Sequence, residues 1–400
     1  MRTKSTATAI LPPVEVQATA SKPLGMPVAK FLRDYWQKQP LLIRGGFGSD
    51  FSCPIAANDF AGLACEPMAL SRLIVHSPKT DRWRVETGPL AESRFNKLPK
   101  SHWTLLIQDV DKWDADVAAL YRYVSFLPNW RLDDIMISYA VKGGSVGAHV
   151  DQYDVFLVQG RGHRRWQIDR RPNPPLGVRD NVALKLLSNF EPSDEWILAP
   201  GDVLYLPPGV PHHGVALDEC MTISLGMRAP SSGELILDLA ESLVSDMPEE
   251  QRYTDPDVMP RADPYLIDAS DLQRLKIAIS ALRTMNDEQL GDWFGGFMSR
   301  YRNAQTPAPA ARRLTESGLE QQLKRNAYLT RHPFSRMAAS RCGQTYRVFF
   351  AGDRFAVSAR LYHLLGQPEQ LDTKAWARLA ATDRGVLLQI INAGHFGVRR

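Results

Sequence analysis

Cysteine is scarce in this chain: four in 400 residues, Cys53, Cys65, Cys220 and Cys342, with no CxxC pair among them. So thin a scatter excludes a disulfide framework and a cysteine zinc site, and it fits a reducing compartment, the cytoplasm. Long apolar runs are missing as well. Nowhere do about 18 uninterrupted apolar residues occur, the length a membrane-crossing helix needs, so no membrane span is expected. There is no Lys/Arg block and the net charge is only +4, so direct binding of nucleic acid is not expected. No internal repeat is found, which removes solenoids and propellers. The opening "MRTKSTATAILPPVEVQATASKPLG" has its apolar run broken by Pro12 and Pro13 before it reaches the length of a secretory core. Residues 1–25 read as a flexible tail.

What is present is the composition of a folded protein, 44% hydrophobic and 23% charged, in a chain long enough for two or three domains. Residues 26–230 are dominated by short apolar stretches such as "PLLIRGGF", "SRLIVHS", "RWRVETG", "WTLLIQDV", "DIMISYAV", "AHVDQYDVFLVQG", "RRWQID", "EWILAPGDVLYLPPG" and "MTISLGMRA", punctuated by Gly and Pro. Many short strands with turn chemistry between them mean a sandwich or barrel. Helices are interleaved at "VAKFLRDYWQKQ" and "WDADVAALYRYVSFL".

Beyond Pro230 the character changes to α. "SSGELILDLAESLVSDM" opens with Ser231 and Glu234 at capping-box spacing. "DASDLQRLKIAISALRTMNDEQLGDWFGGFMSRYR" reads as two further helices, with Leu272, Leu275, Ile279 and Leu282 on one stripe. A three-helix segment over 231–302 has little core of its own and must pack on a neighbour or on a second copy. Residues 303–313, "NAQTPAPAARR", read as a linker. In 314–400, "TYRVFF" and "RFAVSA" flank "AGD" as a hairpin and helices follow, the composition of a winged-helix-like unit.

Chemistry concentrates in "GGSVGAHVDQYDVFLVQGRGHRRWQID", from Gly143. If the segment is a strand, His149 and Asp151 share a face, because residues i and i+2 point the same way. They could then be two metal ligands or one hydrogen-bonded pair. A second stretch, "APGDVLYLPPGVPHHGVAL", spaces Gly201, Pro207, Gly209 and His212 like the second motif of cupin barrels, where a Pro/Gly turn holds a histidine on the returning strand. His149, Asp151 and His212 then form a two-histidine, one-carboxylate facial triad, the ligand set of non-haem Fe(II) oxygenases. His213 competes with His212, but strand parity points it the other way. Arg164 offers a planar fork for the distal carboxylate of a 2-oxoglutarate cosubstrate, with Arg165 as its rival. Ser145 or Lys142 in the glycine loop, and Asp154 after the ligands, are read either as contacts to bound groups or as a plain turn and a scaffold salt bridge.

At these residues the sequence resembles a known family. "GAHVDQYDVFLVQGRGHRRWQI" and "LYLPPGVPHHGVAL", preceded by "FLRDYWQKQPLLIRGGF" and "PNWRLDDIMISYAV", are similar to the bacterial Jumonji-C ribosomal oxygenases, the cupin-type ribosomal protein arginine hydroxylases. The resemblance runs over most of the chain after about residue 26. It implies an α+β protein: a double-stranded β-helix (cupin, jelly-roll) barrel, then a helical dimerisation segment and a C-terminal winged-helix-like domain. It further implies Fe(II) held by His149, Asp151 and His212, 2-oxoglutarate and O2 as cosubstrates with Arg164 on the former, and a homodimer. The implied substrate is a ribosomal protein, the sixteenth of the large subunit, hydroxylated on the β-carbon of an arginine. One position departs from the pattern: Ala140 stands where the family carries a serine hydroxyl near the cosubstrate. Two other functions fit the same fold, an N-methyl demethylase and a ligand-sensing nucleic-acid-binding regulator. The first would release formaldehyde; the second needs a dense basic recognition helix, which "RLYHLLGQ" and "TKAWARLAATDRG" lack.

Overall fold

The computed structural model describes residues 14–245, 247–248, 252–256, 267, 269–280, 285–302 and 304–399. The chain divides into two compact units, Met1–Ala229 and Pro230–Arg400. No helix among the described residues is long and apolar enough to cross a membrane.

The first unit holds strands β1 to β12 in two sheets. With β3 at Ser71–Ser77, β4 at Arg82–Thr87 and β5 at Trp103–Ile107, a nine-stranded sheet runs in the order β1-β2-β10-β7-β12-β6-β5-β3-β4, and a three-stranded sheet in the order β11-β8-β9. Its central strands are β2 (Leu41–Arg44), β6 (Leu132–Ala140), β7 (Val155–Arg161), β10 (Val203–Leu206) and β12 (Cys220–Met227). Strands buried on both faces read as continuous apolar runs, each face serving a different core. On one face Leu41, Ile43, Phe156, Val158, Val203 and Tyr205 pack with Phe31 and Tyr35 of and beside helix α1 (Val28–Asp34) and Phe60 of α2 (Ala57–Leu63). On the other, Leu42, Val155, Leu157, Leu204 and Leu206 meet Trp166 and Ile168 of β8 (Arg164–Ile168) and Leu198 of β9 (Asp194–Leu198). That second core lies between the sheets and closes the double-stranded barrel.

Three local expectations need correction. Within the tail expected over 1–25, Glu15–Gln17 forms β1, parallel to the otherwise open edge of β2, with Glu15 on Arg44 at 2.7 Å, and residues 1–13 lie outside the described residues. "EWILAPGDVLYL" is two strands in different sheets, β9 and β10. The turn between them passes so close to the loop at Gly48 that a Cβ on Gly201 would lie 2.0 Å from the Gly48 carbonyl oxygen. Finally, the strand expected through His149 and Asp151 starts only at Val155. Gly143 (φ +76°) and Gly147 (φ +83°) take left-handed conformations that a strand does not carry, so the chain loops, held to β11 by backbone hydrogen bonds of Gly143 and Gly144 with Ala216 and by an isolated bridge between His149 and His212.

The second unit begins with α4 (Ser232–Ser245), whose capping box is formed as its sequence predicts: the Glu234 backbone N–H donates to Ser231 Oγ at 3.1 Å and the Ser231 N–H to Glu234 Oε2 at 2.7 Å. Helix α5 (Ala269–Ala278) follows, then α6 (Asp287–Arg300). Neither α4 nor α5 has a buried residue. Leu272, Leu275 and Ile279 of the expected stripe are exposed, and Leu282 lies outside the described residues. Helix α6 packs instead on β14 (Met337–Cys342) and β15 (Thr345–Phe350). There Gly295 lies so near Phe349 that a Cβ would meet its ring at 2.3 Å, and Asp292 pairs with Arg347. Strands β15 and β16 (Asp353–Ser358) form the hairpin read from "AGD". Helices α7 (Glu316–Leu323), α8 (Ala359–Gly366), α9 (Thr373–Ala377) and α10 (Ala381–Asn392) contribute Leu319, Leu361, Trp376 and Leu387 to a common core with Val348 and Phe350.

Candidate metal centre

Strand β11 (His212–Ala216) follows the Pro207-Pro208-Gly209 turn, in which Gly209 has φ +83°. His212 and His149 exchange both backbone hydrogen bonds, N–H to carbonyl, at 2.9 and 3.0 Å. Their rings therefore stand side by side, with centroids 4.2 Å apart. Asp151 is carried back to the pair by its carbonyl, which accepts from the Gly209 N–H at 2.8 Å. Its Oδ2 lies 3.6 Å from His212 Nε2 and 4.0 Å from His149 Nε2. Among the described residues these three are the only histidine, cysteine and carboxylate group whose ligand atoms converge, all within 4.8 Å of one another.

Both imidazoles are held in the tautomer a metal requires. His149 Nδ1–H donates to the Gly147 carbonyl at 3.0 Å and His212 Nδ1–H to the Val210 carbonyl at 2.9 Å. Each Nε2 is left with its lone pair facing Asp151. Burial first, and then the neighbouring His149, lower the pKa of His212 to about 4, so it is neutral at pH 7. Two ligands bound at right angles about 2.1 Å from one ion lie ~3 Å apart, and the observed spacings are within a small side-chain adjustment of that. The donor set fits a divalent first-row ion with open positions.

His213 points away, as strand parity requires, with Nε2 on Ser145 Oγ at 3.1 Å. Ser145 is thereby part of a turn: its hydroxyl donates to the Gly214 carbonyl at 2.7 Å and accepts from the Gly147 N–H at 3.0 Å. Asp154 belongs to the scaffold. It is fully buried and accepts from Tyr205, Gln37 and Arg131 at 2.7, 2.9 and 3.2 Å.

Arg164 lines the same cavity as the triad, while Arg165 alternates to the other face. Two small residues of β11 make room for it. Ala216 pairs with Arg164 and Gly214 with Trp166, and a Cβ on Gly214 would stand 2.7 Å from the Trp166 ring. The guanidinium packs over that ring at 5.4 Å. Its Nη1 donates to Ser138 Oγ at 3.0 Å and Thr222 Oγ1 at 3.2 Å, whereas Nε has no partner. Arg164 is 3% exposed, and no carboxylate among the described residues faces it. Burial without an acid pulls its pKa below the ordinary arginine value.

Residue-level reading of the sequence missed the polar lining: Asp134, Ser138, Tyr153, Thr222 and Ser224. The signal was in the alternation. In "DIMISYA" Asp134, Met136 and Ser138 share one face of β6, and in "CMTISLG" Thr222 and Ser224 share one face of β12; polar residues at i, i+2 inside otherwise apolar strands mark a lined cavity. Ala140, where the resemblance leads one to expect a serine, pairs with Cys220 and packs with Ala216. Ser138 and Thr222, themselves paired, supply the hydroxyls beside Arg164. Asp134 is held up at about 7 by burial and by Asp133 and Asp109.

Residues 119–235 match the JmjC domain and residues 281–397 the ROXA-like winged helix. The chain is 39% identical over 283 residues to the ribosomal protein uL16 3-hydroxylase of Escherichia coli K12, covering 70% of this chain and 73% of that one. It belongs to the JmjC ribosomal oxygenases. The X-ray structure of E. coli ycfD superposes with a TM-score of 0.81 at 33% identity, covering 94% of this oxygenase and 98% of that chain. A structure of YcfD in complex with cobalt and 2-oxoglutarate superposes with a TM-score of 0.79 at 32% identity, covering 94% and 99%. The fold expected from the resemblance, a cupin barrel followed by a winged helix, is thus the fold of this ribosomal oxygenase.

Proposed function

We propose that this protein is an Fe(II)- and 2-oxoglutarate-dependent oxygenase that hydroxylates a ribosomal protein, the β-carbon of an arginine in uL16. The observation that carries the reading is Arg164: a buried cation with no acid of its own, in one cavity with a convergent His-Asp-His set. A lone buried guanidinium costs several kcal/mol, and a dicarboxylate whose far end reaches it while its near end reaches the triad offsets that cost. The E. coli relatives support the same assignment by their activity and by the cobalt and 2-oxoglutarate bound to one of them.

His149, Asp151 and His212 would hold the iron, two neutral nitrogens and one carboxylate leaving its other positions open. Iron, 2-oxoglutarate and dioxygen together supply an oxidant strong enough to place one oxygen atom in a C–H bond and the other in succinate. The residues around the site orient and exclude. Trp166 and the apolar inter-sheet core wall His212 from water, while His149 and Asp151 keep a partly open side toward the cavity mouth, 23% and 24% exposed. Asp134, on the same inward face as Met136 and Ser138, presents a carboxylate to the cavity, which suits a guanidinium whose stem runs along Met136 and Tyr153. Mass spectrometry of a uL16 fragment after reaction with Fe(II), 2-oxoglutarate and oxygen is expected to show one added oxygen on an arginine, absent without 2-oxoglutarate. Formaldehyde release instead would make the enzyme a demethylase.

A homodimer through the helical segment belongs to the same proposal. On α4, Ile236, Leu237 and Val244 are 63%, 67% and 65% exposed, and on α5 Ile277 is 66% exposed. Leu235, Ile236 and Leu239 also line an apolar groove with Leu290, Trp293 and Phe294 of α6. So much apolar surface in one segment is what a second copy would bury. Replacing Ile236 and Leu237 together by Asp is expected to halve the mass measured by light scattering without lowering the first unit's melting temperature.

A further inference from the structure

Gln159 is the one polar side chain within the apolar run "VFLVQ" of β7, and it is completely buried. It stands in a row across three neighbouring strands, because Ser138 of β6 pairs with Thr222 of β12, and Thr222 pairs with Gln159. Its amide nitrogen donates to the Arg161 and Gly162 carbonyls at 2.7 and 3.2 Å. Both amide hydrogens are used there, and the reverse orientation would set Oε1 against two carbonyls. Oε1 must therefore face Thr222, whose hydroxyl donates to it at 3.1 Å.

That donation has a consequence for Arg164. With its proton committed to Gln159, Thr222 Oγ1 presents only lone pairs to the guanidinium, and Nη1 donates into them at 3.2 Å. Ser138 behaves alike, donating to the Thr222 carbonyl at 3.5 Å and accepting from Nη1 at 3.0 Å. Nη1 thus spends both hydrogens on the protein. The Nε–Nη2 edge carries no protein hydrogen bond, and Nε is buried without a partner. This edge is the two-pronged fork that binds a carboxylate side-on. Every group holding the guanidinium is neutral, so its full charge is left for a ligand.

We infer that Gln159 is a positioning residue for the distal carboxylate of the cosubstrate: through Thr222 it fixes which edge of Arg164 faces the cavity. The inference rests on the 2-oxoglutarate reading above and extends it to a residue that does not line the site. A buried glutamine that merely satisfied its own hydrogen bonds would leave ligand selectivity alone, and that difference is measurable.

The test is calorimetric binding of 2-oxoglutarate and of 2-oxobutyrate, which lacks the distal carboxylate, to the Mn(II)-loaded protein without oxygen. Gln159→Met is expected to weaken 2-oxoglutarate binding about tenfold, the worth of one charge-assisted hydrogen bond, and to leave 2-oxobutyrate binding unchanged. Thr222→Val, which leaves the glutamine's own anchors in place, should reproduce that loss, and the double variant should bind no more weakly than Thr222→Val alone. Equal weakening of both acids by Gln159→Met, or additive losses in the double variant, would overturn the inference. Should Gln159→Met not fold, full 2-oxoglutarate affinity in Thr222→Val would overturn it equally. Wild-type protein that binds both acids equally would remove the dicarboxylate reading itself, and the inference with it.

Discussion

Arg164→Met is expected to raise the KM for 2-oxoglutarate steeply while also raising the melting temperature of the ligand-free protein. The two effects have one origin. Arg164 is 3% exposed and faces no carboxylate among the described residues, so the folded protein carries a desolvated charge that nothing in the chain compensates. Replacing buried charge by an apolar side chain of similar length is often stabilising by ~1–4 kcal/mol, and each kcal/mol is worth roughly 2–4 °C in a unit of this size. Ser138 and Thr222 lose little in the exchange, since their hydroxyl protons are donated to the Thr222 carbonyl and to Gln159 and only accepted bonds disappear. The affinity for 2-oxoglutarate has no such substitute. Loss of the paired charge is expected to raise the KM for 2-oxoglutarate at least ~100-fold, the worth of some 3 kcal/mol for a desolvated charge pair. Differential scanning fluorimetry and a succinate assay on the same preparation check both halves. A variant that melts earlier and keeps the wild-type KM would refute them together.

Asp151→Ala is expected to leave the protein folded, without bound iron and with no turnover above a metal-free control. The carboxylate supplies the only negative charge of the triad, and its removal leaves two neutral imidazoles, too few donors to retain Fe(II) against dilution. His149→Ala should behave the same way. His213→Ala provides the contrast: it costs the contact to Ser145 and should retain metal, because that ring faces away from the centre. Metal content by elemental analysis, measured beside succinate formation, separates loss of the ion from a misplaced substrate. Iron retained at wild-type stoichiometry in Asp151→Ala would sink the triad assignment.

The convergence of His149, Asp151 and His212 was legible in the sequence because each is tied to local chemistry. A Pro/Gly turn places His212 at the first residue of β11, and the single residue between His149 and Asp151 lets both reach a common point even though their segment is a loop. What the sequence hid was the reason for that convergence. Strand alternation suggested a shared face, whereas the structure achieves it with left-handed glycines at 143 and 147 and a single bridge to His212. The place of Arg164 in the cavity was legible from its parity with Trp166 on β8. Its supports were not, because Ser138, Thr222 and Gln159 come from three strands far apart in sequence, and only sheet order makes them neighbours. The edge strand β1 escaped for a similar reason: three residues with no periodicity acquire meaning only beside β2. In the second unit the hairpin of β15 and β16 was announced by its turn. The docking of α6 on that sheet was not, since it depends on Gly295 admitting the ring of Phe349.

The mutual backbone pairing of His149 and His212 bears on how the protein and its ion meet. Both imidazoles are fixed in place by the sheet, by its turn and by carbonyls two residues back, so they are preorganised before any ion arrives. Capture of the metal then removes little chain entropy, and its affinity is not drawn from folding, in contrast to small domains that collapse around their zinc. Chelation should accordingly empty the centre without melting the barrel, and one divalent ion should exchange for another on a standing frame.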